Sequence, residues 1–147
     1  MDPVSDRTFF VTTNTAGRRR LFQVTRNAEL LLHLLEEDRA RGRYAVHAYV
    51  IMPDHLHLVL TPAPDVSLEK AMQFIKGGFS FRVQSKTKVW QESFAWERVK
   101  DSRDYEVHCN YIHENPVRKY LCAKAAEFEF SSARGLGIDP VPAYLRA

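Results

Sequence analysis

Apolar and polar positions follow two different periods along this chain, and the changes between them mark out its elements. Thr8–Thr13 (TFFVTT) is β-branched and aromatic and predicts a first strand. Asn14–Arg20 is a polar, basic loop containing one glycine. A leucine-rich run follows Asn27, which is placed to cap a helix from Ala28 to about Ala40, with Gly42 ending it. Arg43–Val50 predicts a second strand, Met52-Pro53-Asp54 a turn and His55–Thr61 a third strand, so residues 43–61 read as a hairpin. Pro62, Pro64 and Asp65 form a loop. Ser67 with Lys70 opens a helix from Leu68 to about Lys76, resuming after Gly77-Gly78 toward Gln84. Phe94–Val99 predicts a fourth strand. Asp101 or Ser102 caps a helix carrying Tyr105, Tyr111 and Ile112, and Pro116 limits it, because the residue before a proline disfavours the α region. Residues from about 128 to 147 read as a loose tail.

The order β-α-β-β-α-β-α places the chain in the α+β class. It matches a ferredoxin-like (split βαβ) antiparallel sheet with helices on one face and an added C-terminal helix carrying Tyr111. Many unrelated activities share that sheet, so function has to be argued from side chains.

Composition narrows little. The 147 residues are expected to form one domain, 1–147, with ordinary globular proportions of 45% hydrophobic and 27% charged residues. The net charge of +3 permits nucleic-acid binding without requiring it. Basic residues cluster at Arg18-Arg19-Arg20, at Arg39, Arg41 and Arg43, and at Arg118-Lys119; a solvated surface accounts for any one cluster. The N-terminus lacks a signal-peptide core and no stretch approaches ~20 apolar residues, so a cytoplasmic protein without membrane contact is expected. Cys109 and Cys122 lack metal-type spacing and read as free thiols.

The strand 55–60 carries the clearest chemistry. Side chains two apart on a strand share a face, so His55 and His57 project together, opposite Leu56, Leu58 and Leu60. Such a pair is either packed histidine or half of a metal site, and imidazole suits several divalent metals. Tyr111 and Asn115 lie one helical turn apart and share a face, either as a phenol and an amide oxygen reaching one metal or as a core tyrosine and a C-terminal cap. His108 and His113 lie off that face and read as surface or structural residues, as do His33 and His47. Lys76-Gly77-Gly78 falls far short of a Walker motif and leaves open a phosphate contact or a plain helix terminus.

In order and spacing, these segments resemble the IS200-like superfamily of single-tyrosine HUH transposases, and within it the REP-associated tyrosine transposases. The matching stretches are Tyr49–Leu58 (YVIMPDHLHL) and Tyr111–Val117 (YIHENPV), supported by Met72–Gly77, Val89–Phe94 and Phe130-Ser131-Ser132. Together they cover most of residues 8–132. The chain departs from the family pattern at Asp54, where asparagine is usual, at Tyr120, often glycine, and at Phe130, commonly tryptophan.

The resemblance implies a metal-dependent single-stranded DNA endonuclease and strand transferase that cuts beside DNA hairpins, such as REP-like or element-end sequences. It implies Tyr111 as nucleophile and His55, His57 and, as a polar third ligand, Asn115 around Mg²⁺ or Mn²⁺. Arg18, Arg19, Arg20 and Lys76 are the candidate phosphate contacts. A nucleoid-associated location follows, and the family includes both monomers and homodimers. The alternatives are a domesticated hairpin-DNA-binding protein without productive transposition, and an RNA-binding ferredoxin-like domain. The last expects exposed aromatics on central strands, where this chain has histidines and leucines.

Overall fold

Period-two alternation in the third strand decides how the molecule is layered. In a computed structural model describing residues 7–135 and 138–146, the strands are β1 (Phe9–Asn14), β2 (Tyr44–Met52), β3 (His55–Pro62) and β4 (Ala95–Arg98). They form one sheet in the order β2-β3-β1-β4, every pair antiparallel. Helices α1 (Thr25–Ala40), α2 (Leu68–Val83) and α3 (Ser102–Arg118) complete the ferredoxin-like arrangement with its added helix.

Leu56, Leu58 and Leu60 face α1 and α2, joining Leu31, Leu35, Ile75 and Phe79 in the larger core. The opposite face of the hairpin, Val50, Met52 and Val59, packs under Ile112 of α3, Val99 and Leu145. Two buried faces explain why β2 reads as a nearly continuous apolar run.

Three local expectations give way to tertiary contacts. Helix α1 begins at Thr25, and Asn27 lies inside its first turn, donating from Nδ2 to the Leu21 carbonyl (2.8 Å). Helix α2 runs unbroken through Gly77-Gly78; a Cβ at 78 would sit 3.0 Å from a Leu34 methyl, so the glycine there serves the close approach of α1 and α2 and not a helix break. Helix α3 continues through Pro116 to Arg118: the ring removes one backbone bond, and the burial of Ile112, Asn115 and Pro116 offsets that loss. The Ser67 and Asp101 caps form as expected, accepting from the backbone N–H groups of Lys70 and Asp104.

After Lys119, Tyr120 turns the chain in the left-handed region at φ 59°. Its N–H donates to the Val117 carbonyl and that of Leu121 to the Pro116 carbonyl, the Schellman pattern that ends helices. An L side chain in this conformation costs about 1 kcal/mol relative to glycine.

The segment expected to be a loose tail is instead a cover for the β2 edge. The Ile51 N–H donates to the Phe130 carbonyl, and Ser132 Oγ bonds both the N–H and the carbonyl of Tyr49. Asp139 accepts from Arg39 (2.8 and 3.0 Å) and from the Val46 N–H (2.7 Å), beside the register shift between Val46 and Ala48. An uncovered edge strand would offer these same groups to another chain. Asp139→Ala leaves the Val46 N–H without its acceptor and is expected to destabilise by about 1–3 kcal/mol in urea titrations. Burial raises the Asp139 carboxyl pKa, but hydrogen bonds from Arg39 and the Val46 N–H outweigh it, and the net shift is downward. The folded state therefore binds the proton less readily than the unfolded chain. This contribution is complete above the unfolded carboxyl range and is lost as pH falls through the folded one. Asp139→Asn should flatten the acid limb of the stability profile.

Candidate active site around His55, His57 and Tyr111

Strand pairing sets the two imidazoles with their Nε2 atoms together. Both side chains are buried, His55 at 7% and His57 at 5% exposure, and their Nε2 atoms are 3.1 Å apart. The outer nitrogens are held from behind. His55 Nδ1 donates to Asp54 Oδ1 (2.7 Å), and His57 Nδ1 meets Thr12 Oγ1 (2.8 Å), its direct cross-strand partner. Arg18 Nε in turn donates to Asp54 Oδ2 (3.0 Å). Burial pushes the Asp54 carboxyl up, yet the His55 and Arg18 contacts hold it lower overall, so it is a carboxylate at neutral pH.

Burial lowers the pKa of both histidines, with the Asp54 contact partly offsetting it at His55. His57 falls to about 3, the cationic forms of His55, Arg118 and Arg18 adding to burial. Both rings are therefore neutral near pH 7. With Nδ1–H committed to Asp54, His55 presents a bare lone pair at Nε2. Two such lone pairs at 3.1 Å repel, so either His57 carries its proton on Nε2 or the pair shares a cation.

Helix α3 supplies the rest. Asn115 is 2% exposed and lies beside His55, and its Oδ1 has no hydrogen-bond partner among the described residues. A buried orphan carbonyl oxygen next to a bare imidazole nitrogen suits a divalent cation. Among the described residues no three His, Cys, Asp or Glu side chains are grouped so as to hold a metal ion, and the side chain that joins the two histidines here is an amide.

One turn earlier, the Tyr111 ring stands 5.5 Å from the His57 ring and 5.9 Å from Phe10, both edge-to-face, and is 44% exposed. The Arg118 guanidinium lies over the phenol ring at 4.2 Å and donates to the Tyr111 carbonyl (2.6 Å). His113 ties the same helix to Ser132 Oγ (2.9 Å), a structural role. His108 stacks on Phe10 and pairs with Asp104 and Glu97.

Two of the four expected phosphate-contact residues reach this site. Arg18 and Arg20 line a pocket of about 310 Å³ that opens on His55, together with Lys119 and Leu121. Arg19 instead braces the loop at Thr87 and the Lys88 carbonyl. Lys76, on α2 across the sheet, gives its ammonium to the Gln91 carbonyl (2.7 Å) and its neighbours. Sequence reasoning gave no role to Thr12, which only the β1–β3 register reveals, or to Lys119.

Residues 5–115 match the family model described as "Transposase IS200 like". The chain belongs to the IS200-like transposase family. It is 28% identical over 135 residues to the REP-associated tyrosine transposase of Escherichia coli (strain K12), covering 88% of this chain and 81% of that protein. Its fold matches a solved REP-associated tyrosine transposase bound to a REP hairpin with a TM-score of 0.78 and 26% identity. That match covers 93% of this chain and 84% of the other. The transposase family gives the chain an enzymatic role on DNA. Among the described residues, no helix is long and apolar enough to cross a membrane.

Proposed function

We propose that this transposase is a metal-dependent endonuclease and strand transferase for single-stranded DNA flanking hairpins, with Tyr111 as nucleophile. The carrying observation is the pair of His55 and His57 Nε2 atoms, with the buried Asn115 amide reaching His55, beside an exposed tyrosine ring. The hairpin bound by the solved relative supports the substrate class.

His55, His57 and Asn115 would hold a divalent ion, Mg²⁺ or Mn²⁺. When bound there, it would supply Lewis-acid chemistry at the scissile phosphate. Asp54 and Thr12 fix the two ring orientations from behind, so the ligand set is preorganised. Arg18, Arg20 and Lys119 attract the DNA backbone into the pocket. Arg118 holds the Tyr111 ring from one face and brings a cation to the side of attack.

In the reaction, Tyr111 Oη attacks phosphorus and its proton passes to water. The P–O3′ bond breaks, and the departing 3′ oxygen takes up a proton. The products are a 5′-phosphotyrosine and a free 3′-hydroxyl. The covalent bond conserves the phosphodiester energy, so a 3′-hydroxyl can attack it, release Tyr111 and rejoin a strand without ATP. One chain supplies the histidines, the amide and the tyrosine, which supports a site working in cis. The cytoplasm, with its nucleoid DNA, is the matching location.

The test is incubation with a labelled hairpin bearing single-stranded flanks and Mg²⁺ or Mn²⁺, followed by a denaturing gel. A protein–DNA adduct is expected. Its absence on hairpins spanning many flank sequences would overturn the nuclease reading.

A further inference from the structure

Neither the fold nor the chemistry above makes use of the Tyr120 side chain. It occupies the left-handed position after α3, where glycine is unstrained and a β-carbon is not. Its ring is 95% exposed, so no packing among the described residues offsets that strain. Its two chain neighbours, Lys119 and Leu121, line the pocket that opens on His55. A second hollow of about 260 Å³ shares Arg20, Pro53 and Leu121 with the first and continues to Phe128 and Phe130. The surface around Tyr120 therefore joins cations at the histidine pocket to an aromatic-lined extension. Unpaired DNA matches both, with an anionic backbone and bases whose π faces are open.

We propose that Tyr120 is a stacking platform for an unpaired base next to the scissile phosphate, and so a positioning and specificity residue for the single strand. This inference rests on the reading of the protein as a single-stranded DNA nuclease. A stacking ring has to stand clear of its own fold with a face open, and the left-handed turn holds Tyr120 clear. The strain is then balanced in the complex and not in the free protein.

Fluorescence anisotropy with a dye-labelled hairpin carrying single-stranded flanks gives the test, with abasic nucleotides placed one at a time along the flanks. Tyr120→Gly is expected to weaken binding about tenfold. Its thermal midpoint should stay level or rise, because the strain is relieved. Tyr120→Trp should bind as the parent does. One abasic position should weaken the parent and leave Tyr120→Gly unaffected, which a merely structural tyrosine would not produce. Binding by Tyr120→Gly within twofold of the parent overturns the stacking role, and so does an equal response of both proteins at every abasic position. If the parent forms its covalent adduct while either result holds, the stacking role alone falls. A parent that neither binds nor cuts any flanked hairpin overturns the nuclease reading and this inference together.

Discussion

Tyr111→Phe is expected to leave the protein folded and able to hold DNA while cleavage falls by about 10⁴ or more. The substitution removes only the phenolic oxygen. The edge-to-face contacts with His57 and Phe10 and the Arg118 stack are made by the ring and survive. The side chain is 44% exposed, so stability should change by less than about 0.5 kcal/mol. On the proposed reading binding rests on Arg18, Arg20 and Lys119, which line the pocket and which the change does not touch. The expected signature is thus a loss confined to the chemical step, read from single-turnover cleavage beside anisotropy and thermal melts. An adduct that persists in Tyr111→Phe would move the nucleophile to another residue.

The second large effect is the response to metal. Neutral His55 and His57 can accept a cation without first losing protons, and the Asn115 carbonyl loses its orphan status when it ligates. A ligand bound only by the folded state stabilises it by about 2.7 kcal/mol at a hundredfold excess over Kd, which raises the thermal midpoint by about 5–10 °C for a chain of this size. Mn²⁺ or Mg²⁺ should produce that rise in the absence of DNA. His55→Ala and His57→Ala should abolish it, and Asn115→Ala should diminish it. A chelator should bring cleavage to background and reverse the shift. An equal thermal response in parent and His57→Ala would place the metal elsewhere.

The histidine face was legible because strand periodicity needs no partner: residues 55–60 alternate, and the core follows. Tyr111 and Asn115 were legible as a pair for the same reason on a helix. Thr12 was not, because its contact with His57 arises from β1–β3 register, which alternation within one strand does not specify. Arg19 and Lys76 were visible as charges, but the loop carbonyls at 88 and 91–93 claim them, and such loops leave no periodic trace. The segment after residue 128 misled for a related reason. It is held by Ser132, Asp139 and backbone groups on the β2 edge, with Leu145 as its buried anchor, and no amphipathic pattern announces that. Pro116 misled because the rule against the α region before proline is a preference, and Asn115, buried against the site, stays helical.

Tyr120 shows what the fold adds to a single residue. In the sequence it is a departure from a common glycine. In the structure it is an aromatic ring held at a backbone cost beside a cationic pocket.

The most direct test of the account is to trap the protein on a flanked hairpin with Mn²⁺, digest the adduct, and map the modified peptide by mass spectrometry. The account predicts a nucleotide 5′-phosphate on Tyr111 and on no other residue. A phosphonucleotide on a different side chain, or a cut strand with no covalent protein, would contradict it.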